Sequence, residues 1–251
     1  RIISSATVRT HDKAHIQKHL SKNIEFKDIT DDLICLGIFG PKSRHLLSQI
    51  TNEDLSNENF KFGTGKNIKL RSINVWMQRL SYVGELGYEI YVHNEYANKI
   101  YNLIIEIGKK FELTHCGAHA MDIMRMESGF LHWGHDISPE ENQYQSGLNF
   151  AISYKKPFEF IGKEQLLKIK DQKQDKRFVM LYLKNSKPGE PLLLHEEPIY
   201  LNNKIIGKTT SGNYSFNYNK NLSFGYINSH LTNIELNEME IFIEIEKKKY
   251  Q

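Results

Sequence analysis

The densest chemistry in the chain lies in one run, Tyr82-Val83-Gly84-Glu85-Leu86-Gly87-Tyr88-Glu89-Ile90-Tyr91. Two glycines between strand-like stretches allow a tight turn with unusual backbone angles. Side chains alternate along a strand, so beyond Gly87 the pair Glu89 and Tyr91 shares one face and Tyr88 and Ile90 share the other. A carboxylate flanked by phenol rings can accept two parallel hydrogen bonds from a flat amidine-like edge, such as the 2-amino group and ring N–H of a pterin. The same spacing also describes an exposed hairpin whose glutamates are merely solvated. Spacing alone leaves both readings open.

Other candidates read as structure rather than chemistry. His132 and His135, with Asp136, lack a third ligand at a suitable spacing for zinc, and read as a polar, partly buried loop beside Trp133. Arg125 and Glu127 on one helical segment read as an internal ion pair that braces the fold. His11-Asp12 has the form of a base and its orienting acid, but no nucleophile stands near it in sequence. Gly207–Ser215 reads as a hydroxyl-rich turn, because no strand–GxxxxGK–helix pattern surrounds it. Cys35 and Cys116 make no CxxC spacing and no disulfide framework, which fits a reducing compartment.

Three textures position these residues. Residues 1–30 give an apolar start and a helix-like segment from His15 to Leu20. Residues 31–176 alternate strand and helix signals. Leu33–Phe39 reads as a buried strand, and Ser43–Ile50 as a helix with Pro41 in its first turn. Residues 73–92 read as two strands joined at Gly84–Gly87. Ile100, Leu103, Ile104 and Ile107 recur at helical spacing with Asn94 placed to cap them, and a further helix from Gly117 to Ser128 is stopped by Gly129. Residues 177–251 turn all-β, with short strands at Phe178–Leu183, Ile199–Leu201, Ile205–Thr210, Phe224–Ile227 and Met239–Ile245. Lys170–Lys176, without an apolar residue, reads as the linker. These textures read as an α+β chain: a sheet with packed helices, followed by an all-β part that is a small barrel or sandwich.

At 39% hydrophobic and 25% charged residues, the 251-residue chain can bury a core. Its net charge of +3 is dispersed, and Lys247-Lys248-Lys249 reads as a solvated end, so a nucleic-acid partner is not expected. No apolar run approaches the ~20 residues that span a bilayer, so no membrane partner is expected either. The chain opens on Arg1-Ile2-Ile3 without an initiator Met, and is expected to be part of something longer.

The string RLSYVGELGYEIYV resembles the pterin-binding segment of the aminomethyltransferase family, which includes the glycine-cleavage T-protein and the folate domains of dimethylglycine and sarcosine dehydrogenases. The similarity continues in order through GAHAMDIMRMESG (Gly117–Gly129), His132–Asp136, Gly147–Phe150, Phe160–Leu167, Glu197–Tyr200 and Gly207–Ser215. The last two blocks are especially similar to the dehydrogenase branch. The resemblance implies that Tyr82 and Glu89 contact tetrahydrofolate, with Ile90 and Tyr91 beside them, and that Glu85 is a turn residue. Phe150 stands where the dehydrogenase branch often has a folate-contacting tyrosine. Met121 stands where the T-protein branch has an arginine.

By the same resemblance, the whole enzyme oxidises an N-methylated glycine on FAD in an upstream domain and passes the one-carbon unit to tetrahydrofolate held here. The amine substrate would reach this part through that flavin domain. No residue matches the family's upstream catalytic aspartate, so no catalytic residue is assigned and the chain alone is expected not to turn over. The expected location is the cytoplasm of a bacterium or the mitochondrial matrix of a eukaryote. Two alternatives stay open: a flavin-independent folate-dependent demethylase, and a non-catalytic folate-binding module. The reactive-cysteine motif of the family's iron–sulfur maintenance members is absent, since Leu80–Glu85 holds no cysteine. The resemblance implies a mostly antiparallel sheet with packed helices followed by a C-terminal β-barrel; the barrel is expected to lack its last strand, because Glu246–Gln251 ends where one more apolar strand should follow, leaving an exposed edge.

Overall fold

A computed structural model describes residues 1–228, 230 and 239–251. The chain divides into two compact units: residues 1–81 with 85–114, and residues 82–84 with 115–251.

The first unit is built on four antiparallel strands, β1 (Leu33–Phe39), β2 (Gly65–Leu70), β3 (Ile73–Gln78) and β4 (Gly87–His93), in the order β1-β4-β3-β2. Alternation decides which face meets the core. Tyr88, Ile90 and Val92 of β4 are fully buried, with Val75 and Met77 of β3 and Ile38 of β1 beside them. The helix α3 (Asn94–Gly108) lays Ile100 and Ile104 into the same cluster, as its apolar spacing requires. Each such fully buried side chain stabilises by about 1.5–3 kcal/mol. The short α2 (Ser43–Leu47) adds Leu46 and Leu47. The amino-terminal helix α1 (Arg9–His19) starts earlier than its apolar residues suggest and buries none of its residues. Polar clasps hold it instead: Arg9 pairs with Asp28 and Asp31.

Three local expectations are corrected here. The strand Leu33–Phe39 lies at the sheet edge, with Ile34 and Cys35 exposed, because only β4 pairs with it. The connection between β3 and β4 runs over residues 79–86 instead of a tight turn, since pairing begins only at Gln78↔Glu89. Asn94 is inside its helix; the cap position is His93, and the Asn94 amide donates to the Asp31 carbonyl at 3.1 Å.

The second unit opens with α4 (Ala118–Glu127), ended as expected by Gly129 at φ 74°, and continues through α5 (Lys163–Ile169). Six antiparallel strands follow: β5 (Lys176–Tyr182), β6 (Pro198–Leu201), β7 (Lys204–Ser215), β8 (Lys220–Asn228), β9 (Ile241–Ile245) and β10 (Lys248–Tyr250), ordered β10-β9-β6-β7-β8-β5. Ile199, Ile227, Ile243 and Ile245 fill the interior. The stretch Gly207–Ser215, expected as a turn, is most of β7. Its pairing with β8 slips between Thr209↔Gly225 and Ser211↔Phe224, a β-bulge that inserts Thr210. A short strand that the sequence did not suggest, β10, follows Glu246 and pairs with β9 alone among the described strands, so it stands at the sheet edge; beyond it the Gln251 carbonyl accepts a hydrogen bond from the Lys184 N–H at 2.7 Å.

Candidate functional site

Glu89 and Tyr91 stand on the face of β4 turned away from the hydrophobic core, both half-buried. The Tyr91 hydroxyl donates to Glu89 Oε2 at 2.6 Å, and the Gln78 amide reaches the same oxygen at 3.5 Å. Burial first, and then the bond to Glu89, hold the Tyr91 hydroxyl well above the usual phenol range, so it remains a donor. Both contacts fall on Oε2, which leaves Oε1 to accept from a ligand. The register sets this face further. Gly37 opposes Glu89 and Phe39 opposes Gly87. A side chain at Gly87 would lie 2.4 Å from the Phe39 ring, so that ring rests directly on the strand beside the carboxylate. Trp76, paired with Tyr91, lies on the same face. Tyr91 and Cys35 also line a cleft of about 250 Å³ with Ile3, Phe26 and Leu33.

In the second unit, Tyr82 stacks near-parallel on Phe130 at 6.2 Å between centroids and donates its hydroxyl to the Leu131 carbonyl at 3.0 Å. Burial raises its hydroxyl above the ordinary phenol value. Gly84 seats this segment: at φ 74° it packs so closely on the end of α4 that a Cβ would lie 1.8 Å from Ser128 Oγ. Tyr82 lines a cleft of about 590 Å³ together with Met121, Arg125, His132, Leu193 and Tyr214.

Beneath that cleft lies a closed polar network. Arg125 and Asp136 are 1% and 0% exposed and pair directly. Asp136 Oδ2 accepts from Arg125 and from the His132 N–H; Oδ1 accepts from the Thr210 and Ser211 hydroxyls at 2.6 and 2.7 Å. The bulge makes this possible by aiming two successive hydroxyls at one oxygen. Tyr226 donates to the Asp136 carbonyl at 2.8 Å. Arg125 spends its remaining donors on Asp122, Ser211 and the Phe130 carbonyl. Its partner is thus Asp136, not Glu127 as the sequence suggested; Glu127 instead accepts from Ser215 and Asn217. Burial, then the proximity of His135 and Arg125, lowers the His132 imidazole below its ordinary value.

Of the five residues singled out from sequence, Glu89 and Tyr91 are brought together. Ile90 is 0% exposed and belongs to the core on the other side of the sheet. Tyr82 and Phe150 belong to the second unit, Tyr82 at its cleft and Phe150 in a 3-10 turn with 82% of its surface exposed. Sequence reasoning missed Phe39 beside the carboxylate, Trp76 paired with Tyr91 on the same face, and the Thr210–Ser211 hydroxyls. Strand pairing, which no local pattern gives, places all four. Among the described residues no group of three or more His, Cys, Asp or Glu side chains is set to hold a metal ion, and no helix is long and apolar enough to cross a membrane.

Comparison with known proteins agrees with this architecture. Residues 1–156 match the GCVT N-terminal domain and residues 176–251 the glycine cleavage T-protein C-terminal barrel domain. The chain belongs to the glycine cleavage T-protein, or aminomethyltransferase, family. The solved structure of the glycine cleavage system aminomethyltransferase T from Bartonella henselae superposes with a TM-score of 0.79 at 20% identity, over 98% of this chain and 64% of that one. Human mitochondrial dimethylglycine dehydrogenase is 34% identical over 99% of this chain. The 4-methylaminobutanoate oxidase (formaldehyde-forming) of Paenarthrobacter nicotinovorans is 40% identical over 74% of it. The chain spans 28% and 22% of the length of these two relatives.

Proposed function

We propose that this chain is the tetrahydrofolate-binding part of a dimethylglycine or sarcosine dehydrogenase-like enzyme. The observation that carries the reading is the Glu89 carboxylate, held through one oxygen by Tyr91 with the other oxygen left to a ligand. A half-buried carboxylate with spare acceptor capacity, beside the ring of Phe39, fits a flat heterocycle that presents an amidine-like donor edge. Tetrahydrofolate, when bound, supplies the nucleophilic nitrogen that takes up the one-carbon unit. The part of this chain is positional: Glu89 fixes the orientation of the ring, and Tyr91 fixes Glu89. Tyr82 and Phe150 enter the proposal on the family resemblance alone. Both relatives described above are named for N-methyl amino acids, which supports an N-methylated amine as the source of the carbon. FAD then belongs to the length of those relatives that this chain does not span.

The test compares two glutamates four positions apart. Glu89→Ala is expected to weaken binding of a reduced folate by about 2–4 kcal/mol, because it removes the charged acceptor of the ring's donor edge from a half-buried site. Glu85→Ala, at an exposed position, should change it by less than about 0.5 kcal/mol. Titration of each variant with reduced folate, followed by fluorescence or calorimetry, decides it. Equal losses, or a larger loss for Glu85→Ala, would show that the motif has been placed in the wrong register.

A further inference from the structure

Helix α1 carries His11, His15 and His19 at successive four-residue intervals, all exposed to solvent. Residues four apart lie one above the other on a helix, and the His15 and His19 rings stand with centroids 4.6 Å apart, tilted by 45°. The donor nitrogen of one ring is set by its partner. His19 Nδ1 lies 2.9 Å from the His15 carbonyl oxygen, which can only accept, so Nδ1 donates there and Nε2 is the nitrogen left to meet a metal ion. A histidine whose Nδ1–H is tied to a backbone carbonyl is the usual form of a metal-ligating imidazole.

We propose that His15 and His19 form a two-point site for a divalent transition-metal ion such as Zn²⁺, Ni²⁺ or Cu²⁺, with water completing the coordination. Metal–nitrogen distances of about 2.0–2.1 Å need the two nitrogens roughly 3 Å apart, which adjoining imidazoles one helical turn apart can supply. Imidazole suits these metals over Mg²⁺ or Ca²⁺, which take oxygen ligands. His11 is engaged with Asp12 at 3.1 Å, one turn further on, and is not part of the site. Two protein ligands make an exchangeable site rather than a permanent one. Its effect falls on α1 itself, which buries no side chain. A metal clip between successive turns would order the segment whose Ile16, Asp12 and Arg9 line the Tyr91 cleft.

Isothermal titration of the 251-residue protein with NiCl₂, in a buffer free of chelators, should show saturable binding of one ion at this site. Circular dichroism at 222 nm should gain helical signal on addition of the metal. His15→Ala and His19→Ala should each weaken that binding by at least about tenfold, since even an outer partner of a metal ligand is worth about 10–100-fold. His11→Ala should leave it unchanged. Cu²⁺ electron paramagnetic resonance should show hyperfine coupling to two imidazole nitrogens in the parent protein and to fewer in either variant. All three positions are exposed, so the variants should fold as the parent does, which circular dichroism without metal checks. Binding that survives both His15→Ala and His19→Ala overturns the proposal, as does a loss with His11→Ala as large as with His15→Ala.

Discussion

Each unit holds a buried or half-buried acid, and the two acids are treated in opposite ways. Asp136 is sealed from solvent, and both its oxygens are saturated by donors from Arg125, His132, Thr210 and Ser211. Glu89 keeps part of its surface and receives its contacts on one oxygen only. A saturated acid has nothing left to offer a ligand, and its worth lies in the charge it neutralises. An acid held on one side and free on the other is oriented without being used up. Saturation, not burial or perturbation by itself, separates the brace from the binding group.

The comparison breaks most visibly at Asp136. Asp136→Ala leaves the buried Arg125 guanidinium with the partly exposed Asp122 as its remaining counter-charge, and should cost about 3–5 kcal/mol of stability in chemical denaturation. Glu89→Ala should stay within about 0.5 kcal/mol of the parent in the same experiment, because its pocket is open to water. If the two variants unfold alike, the distinction between brace and binding group fails. Gly84→Ala should come next, at about 1–3 kcal/mol, since it combines a left-handed backbone with a collision against Ser128. Adding Ser128→Gly should recover the steric part while the backbone part remains.

The smallest effect is a pH dependence. His132 sits below its ordinary value in the native state, so as pH falls through about 6.5 the unfolded chain takes up a proton before the folded one does. Stability contributed by the neutral ring is therefore present above that pH and declines as pH drops towards the native value. His132→Asn should flatten this limb by a few tenths of a kcal/mol, the scale fitting a partly exposed group. An unchanged slope in denaturation midpoints between pH 7.5 and pH 5.5 would show that the His132 ring does not set this limb, while its backbone N–H still serves Asp136.

Periodicity made the α3 stripe, the Gly129 stop and the alternation that sets Glu89 against Tyr88 legible, because each depends on residues within one or two turns of one another. The mixture of helices and strands followed from the same local signals, whereas the antiparallel sheet and the barrel came with the family resemblance. What failed was non-local. The edge position of Leu33–Phe39 depends on which strands pair with it, and an apolar run reads the same at an edge or in the middle. Arg125 was given the wrong partner because Glu127 is close in sequence, whereas Asp136 arrives through the loop after α4. Gly207–Ser215 was read as a turn because Gly207, Gly212 and Asn213 carry weak strand preference and outweighed the two threonines. Pairing with β8 on one side and β6 on the other overrode that preference.

The slipped register at Thr210 also governs how this segment can vary in length. On an unbroken strand Thr210 and Ser211 would point to opposite sides, and one of them would lose Asp136. Hydroxyl-bearing residues can replace one another here at modest cost. A one-residue deletion or insertion between Thr209 and Ser215 cannot be absorbed in the same way, because it strips a donor from a sealed acid many residues distant. Homologous sequences should therefore drift in composition across this stretch while their alignment stays free of gaps.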